Sequence, residues 1–159
     1  MPHLAQINVG RLRAPLEDPA IAGFVAQLEP INALADASPG LVWRFVSDGA
    51  DNATAVRPFP DDLMLLNFSV WESREALWNF VYRTAHLEAM RRRRDWFERM
   101  VAPYQALWWV PEGHRPSVTE AIDALERIQC DGPTPASFTF REFFPASGVP
   151  ENTPQGRPS

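Results

Sequence analysis

Three segments of this chain alternate like β-strands yet leave no face for water: HLAQINVG (3–10), LMLLNFSVW (63–71) and YQALWWV (104–110). In the first, Ala5, Ile7 and Val9 share one side, opposite Gln6 and Asn8. In the second, Met64, Leu66, Phe68 and Val70 lie opposite Asn67, Ser69 and Trp71, and in the third Ala106, Trp108 and Val110 lie opposite Gln105, Leu107 and Trp109. A sheet with one wet face alternates apolar and polar residues plainly. Here one face is wholly apolar and the other is apolar but studded with amides, so both must be covered. Helices cover one face. A second sheet is the natural cover for the other, which predicts a homodimer through the sheet. We expect Asn8, Asn67, Ser69 and Trp71 to face the helices and line a pocket, with the apolar face toward the partner. The reverse assignment puts the amide face at the dimer.

The remaining elements follow from caps and breakers. Asp18 and Pro19 open a helix with the stripe Ile21, Phe24, Val25, Leu28, Ile31 and Ala35, which Pro30 should kink or split. LVWRFVS (41–47) reads as a strand, followed by a polar loop over 48–62. Ser73 caps a helix that runs on or restarts near Thr84 and reaches about Val101. SVTE (117–120) is a capping box opening another helix to about Gln129, and SFTFREF (137–143) reads as a last strand. The order β-α-β-β-α-β-α-β contains a ferredoxin-like βαββαβ unit with an extra helix and strand, an α+β fold. Residues 1–144 read as one domain and 145–159 as a disordered tail.

The stretch RTAHLEAMRRRRDWFERM (83–100) invites a nucleic-acid reading, but a net charge of −5 and a pI near 5.2 argue against it. On a helical wheel, Leu87, Met90, Phe97, Met100 and Val101 gather on one face. Glu88, Arg91, Arg92, Asp95, Glu98 and Arg99 pair along the other, and Arg94 sits at the boundary. His86 and Arg93 fall on the apolar side, seven positions apart. Either Arg93 snorkels or pairs with a buried carboxylate while His86 caps a carbonyl, or both line a cavity between helix and sheet. Tyr82, four residues before His86, is a candidate proton donor. Trp78 reads as core or as an aromatic wall, and Trp109 is counted with the wall. His114 reads as a structural loop residue or as one closing the pocket mouth.

Several chemistries are excluded. The 15 cationic residues are all arginine, so no lysine forms a Schiff base, and one cysteine, Cys130, allows no intrachain disulfide. Three histidines without carboxylates at ligand spacing predict no metal site. The N-terminal segment lacks a signal-peptide pattern and no apolar run is long enough to span a bilayer, so a cytoplasmic protein without a membrane partner is expected.

The segments SPGLVWRF, LNFSVWESREALWNFVY, RTAHLEAMRRRRDWF, LWWVPEGHRPSVTEAIDALE and GPTPASFTF resemble the bacterial domain-of-unknown-function 3291 family over about residues 3–144. That family is similar to the dimeric α+β barrels, which include antibiotic-biosynthesis monooxygenases and haem-degrading monooxygenases. The resemblance implies a ferredoxin-like protomer paired sheet to sheet. In the monooxygenases a helical histidine sits much like His86. The haem-degrading members imply Asn8 and His86 as counterparts of their strand Asn and helical His, with Trp71 or Trp78 as the indole.

The expected function is a small-molecule tailoring enzyme: a cofactor-independent monooxygenase, cyclase or isomerase acting on a flat, hydrophobic, polyketide-like substrate. His86 would act as general base, and Arg93, with Asn8 or Asn67, would steady the developing oxyanion. The alternative is a haem- or small-molecule-binding protein without oxygenase activity, in which His86 is an axial ligand.

Overall fold

The computed structural model describes residues 2–15, 17–45, 63–83, 91–99 and 103–146, with the side chains of Arg93 and Arg94 outside that description. Strand β1 (His3–Arg11) is central. It pairs antiparallel with β3 (Met64–Trp71), from Leu4 opposite Trp71 to Arg11 opposite Met64. On its other side it pairs with β4 (Gln105–Val110), from His3 opposite Val110 to Asn8 opposite Gln105. The short β2 (Leu41–Arg44) borders β3, giving the order β2-β3-β1-β4 with every neighbour antiparallel. With helix α1 (Ala22–Ala37) after β1 and α2 (Arg74–Arg83) after β3, this is the ferredoxin-like α+β arrangement.

Local chemistry sets the helix ends. Asp18 accepts a hydrogen bond from the Ala20 amide at 2.8 Å, ahead of a 3-10 turn over Pro19–Ile21 that leads into α1. Pro30 neither splits nor ends α1; it is exposed, so its ring projects to solvent. Ser73 accepts from the Ala76 amide at 3.1 Å at the start of α2. Ser117 does the same for Glu120 at 3.0 Å, and the helix it opens, α4 (Val118–Asp131), ends at Gly132 with φ of 72°. Among the described residues no helix is long and apolar enough to cross a membrane.

Three expectations need correction. The apolar face does not await a second sheet, because α4 lies across it. Ala5, Ile7, Val9, Leu66, Phe68, Val70, Ala106, Trp108 and Val110 are each 6% exposed or less, packed with Ala121, Ala124, Leu125 and Ile128. The helix expected to reach Val101 instead ends in a single turn, α3 (Arg93–Trp96). There the backbone turns to bond β1's end: Arg13 N to Trp96 O and Glu98 N to Arg11 O, each 2.8 Å. The last strand reduces to a bridge at Phe138, which exchanges two 2.8 Å backbone hydrogen bonds with Leu107 before the chain turns. Phe138 contacts Phe143 and Phe144 in an aromatic plug below Trp71 and α2, so ring packing takes precedence over extended pairing.

Gly40 joins α1 to β2 with φ of 88°, and a Cβ placed on it would lie 2.4 Å from the Ala76 Cβ. Its carbonyl also accepts from the Glu72 amide at 2.7 Å, so backbone and α2 meet there without room for a side chain. Gly113 has a similar φ of 84° but open space around it. Gly40→Ala should therefore cost about 2–4 kcal/mol, strain plus overlap, and Gly113→Ala only about 1–2 kcal/mol. Urea unfolding of the two variants checks this, and equal losses would remove the steric term.

Candidate functional site

The amide-bearing face of the sheet and the helices above it enclose a cavity of about 250 Å³. Its apolar wall includes Phe24, Leu28 and Ile31 from α1, Phe80 from α2, and Trp71 and Trp96. The end near α3 is closed by aromatic packing: Phe24 lies 5.8 Å from Trp96 and edge-on to Phe97 at 5.1 Å. Gly23 makes that possible, because a Cβ there would already press on the Trp96 indole at 3.3 Å. Outside, the Arg92 guanidinium covers the same indole at 4.9 Å and pairs with Asp95 at 3.3 Å.

Polar groups enter the cavity from the sheet at alternate positions, as a strand's period of two requires. Ser69 Oγ accepts from Gln6 Nε2 at 2.8 Å and from Trp71 Nε1 at 2.9 Å. Asn8 Nδ2 donates to Gln6 Oε1 at 3.2 Å, and Asn67 stands opposite Asn8 in the β1–β3 register. Ser69 and Gln6 are each 6% exposed and Trp71 is 1% exposed, so this network is buried beside an open space. From α1 come Gln27, whose Oε1 is buried without a hydrogen-bond partner, and Asn32.

Arg44 also reaches the wall, held in a two-point contact with Asp36 at 2.7 and 3.0 Å. That guanidinium holds the Asp36 carboxyl below its ordinary value through hydrogen bonding and charge, against a smaller opposing effect of burial. Among the described residues, no Asp, Glu or His lines the cavity and no cluster of metal-ligating side chains occurs.

Four of the expected site residues, Asn8, Asn67, Ser69 and Trp71, thus come together on one wall. Four others lie off it. Trp78 and Tyr82 are both 37% exposed on the outer side of α2, their rings tilted against each other with centroids 4.3 Å apart. Trp109 donates its indole N–H to the Phe144 carbonyl at 2.8 Å and serves the aromatic plug. His114 is exposed and contacts Glu120 at 2.7 Å at the start of α4, away from the described cavity wall. His86 lies outside the described residues. Arg93 opens the turn whose Trp96 lines the cavity, and its side chain is outside the description.

Gln27, Asn32, Gln105 and Arg44 were not anticipated. Gln27 and Asn32 occur three and four residues after Phe24 and Leu28, which is where polar side chains interrupt an inward stripe. That interruption was the available signal.

An antiparallel α+β protomer with an amide-bearing cavity between sheet and helices is the class the geometry defines. The chain belongs to the family described as domain of unknown function DUF3291, whose model matches residues 3–154. No curated protein matches it. Among solved structures it is similar to SnoaB, a cofactor-independent oxygenase from Streptomyces nogalater, at 15% identity and a TM-score of 0.49, covering 76% of this chain and 100% of that one. It is also similar to the NE2512 protein of unknown function from Nitrosomonas europaea, at 15% identity and a TM-score of 0.47, covering 74% and 97%. Rv0793 from Mycobacterium tuberculosis gives 17% identity and a TM-score of 0.47 over 72% and 99%.

The Asp36–Arg44 contact has a defined pH signature. Because the carboxyl is more acidic folded than unfolded, its contribution is complete above the unfolded value and fades as pH falls through the folded one. The Asp36 side chain is half exposed, so Asp36→Asn should cost at most about 1 kcal/mol at pH 7. That difference should vanish in strong acid, as urea midpoints across pH 2–7 would reveal.

Proposed function

We propose that this chain binds a flat, largely apolar small molecule in the cavity and acts on it as a tailoring enzyme. The observation that supports this is the meeting of carboxamides from two elements, Gln6 and Asn8 from β1 and Gln27 and Asn32 from α1, across a largely apolar space. At about 250 Å³ the cavity lies just under the roughly 300–1,000 Å³ of drug-sized sites, which suits a few fused rings. A porphyrin is larger than that.

His86 is the proposed base. It removes a proton from an acidic ring carbon or a phenol, and Arg93, with Asn8 or Asn67, steadies the enolate that results. In the oxygenase form the electron-rich enolate itself reduces dioxygen. One oxygen atom enters the ring carbon as a carbonyl, and the other leaves as water with that carbon's two hydrogens. Tyr82, packed against Trp78 on the outer side of α2, is not needed for this step. The homodimer that family resemblance implies would have to use a surface other than the face covered by α4.

Titration with 2-naphthol, read by tryptophan fluorescence, should saturate; no saturable quenching would end the cavity reading. With anthrone as substrate, His86→Ala should lower oxygen uptake by about 10²–10⁴-fold while naphthol affinity stays within about threefold. Saturable binding without oxygen uptake by the wild type would favour a binding protein, or a cyclase or isomerase that uses no oxygen.

A further inference from the structure

Ser69 has an unspent function. A hydroxyl carries one donor and two acceptor lone pairs. The Ser69 oxygen already accepts twice, from Trp71 Nε1 at 2.9 Å and from Gln6 Nε2 at 2.8 Å. The indole can only donate, so that direction is fixed. The Gln6 amide is oriented in turn by Asn8, whose Nδ2 donates to Gln6 Oε1 at 3.2 Å and so turns Nε2 toward Ser69. With both lone pairs engaged, only the Ser69 O–H remains. No protein acceptor takes it among the described residues, and the residue is 6% exposed on the cavity wall.

We infer that Ser69 is the hydrogen-bond donor that reads a carbonyl oxygen on the cavity's ligand, and that the ligand is therefore a neutral cyclic ketone or quinone-like molecule. This deepens the tailoring-enzyme reading and rests on it. Two donors drawn onto one oxygen polarise its O–H bond and strengthen it toward an acceptor. A buried donor left unmet penalises an occupant without an acceptor, so such occupants are rejected by roughly tenfold to hundredfold. A carboxylate ligand fits less well, because the Arg44 guanidinium on the wall is held two-pronged by Asp36. The same saturation argues against a nucleophilic serine, because both lone pairs are occupied. In turnover, the Ser69 donor faces the oxygen on which negative charge grows when a proton leaves the adjacent carbon, which makes it a stabiliser of the enolate.

The test compares 1-indanone with indane, which share a skeleton and differ by the carbonyl. Indane is the more hydrophobic, so an apolar pocket alone would prefer it. Wild-type protein should bind 1-indanone at least tenfold more tightly. Ser69→Ala should bring the two affinities within about twofold by weakening only the ketone, and Ser69→Thr should restore the preference. The infrared carbonyl stretch of bound 1-indanone should lie lower in the wild type than in Ser69→Ala, a readout that loss of packing alone would not produce. Where Ser69→Ala fails to fold, the wild-type stretch decides, and a value equal to that in cyclohexane overturns the assignment. Equal binding of both probes by the wild type, or a ketone preference that survives Ser69→Ala, also overturns it while leaving the cavity reading intact. If neither probe binds, the cavity reading falls and takes the Ser69 assignment with it.

Discussion

Strand β1 has to be satisfied on both faces and along both edges, and the rest of the molecule is arranged to do so. Its edges are taken by β3 and β4. Its apolar side chains, Ala5, Ile7 and Val9, are sealed by α4. Its polar ones, Gln6 and Asn8, cannot be sealed that way, because a buried amide without partners is costly. They are met instead by Ser69 and, through it, by Trp71. The helices on this side then close over the network without filling the space above it. A cavity with a polar floor is the outcome.

This accounts for what could be read in advance. The division of each strand into two faces follows from alternation alone, and it placed Asn8, Asn67, Ser69 and Trp71 on one wall. The caps at Asp18, Ser73 and Ser117 were legible because a short polar side chain before a periodic run has few other uses. What covers a face is a different kind of information. The stripe of Ala121, Ala124, Leu125 and Ile128 shows that α4 buries a side, but not that the side it meets is its own sheet. A second sheet would have satisfied the same pattern.

The misread ends have a common physical origin. Residues 91–99 carry a helical pattern, yet the chain leaves the helix at Phe97 to bond the end of β1, where Leu12 and Phe97 pair. SFTFREF alternates like a strand, yet Phe143 folds back on Phe138 at 4.9 Å. In both places aromatic burial takes precedence over local propensity. The same priority moved Trp109 off the cavity wall, since a large ring goes where it can be packed. Of the arginine run, Arg91, Arg92 and Arg99 are exposed, and Arg92 pairs with Asp95.

Because α4 lies across one face of the sheet and the cavity occupies the other, neighbouring residues of β1 answer to different demands. Positions 5, 7 and 9 belong to the packed layer, and 6 and 8 to the cavity layer. A substitution at an even position meets a void bordered by polar groups, whereas one at an odd position meets a close-packed helix. Such a chain can drift toward a new ligand one residue at a time without reopening the question of how it folds.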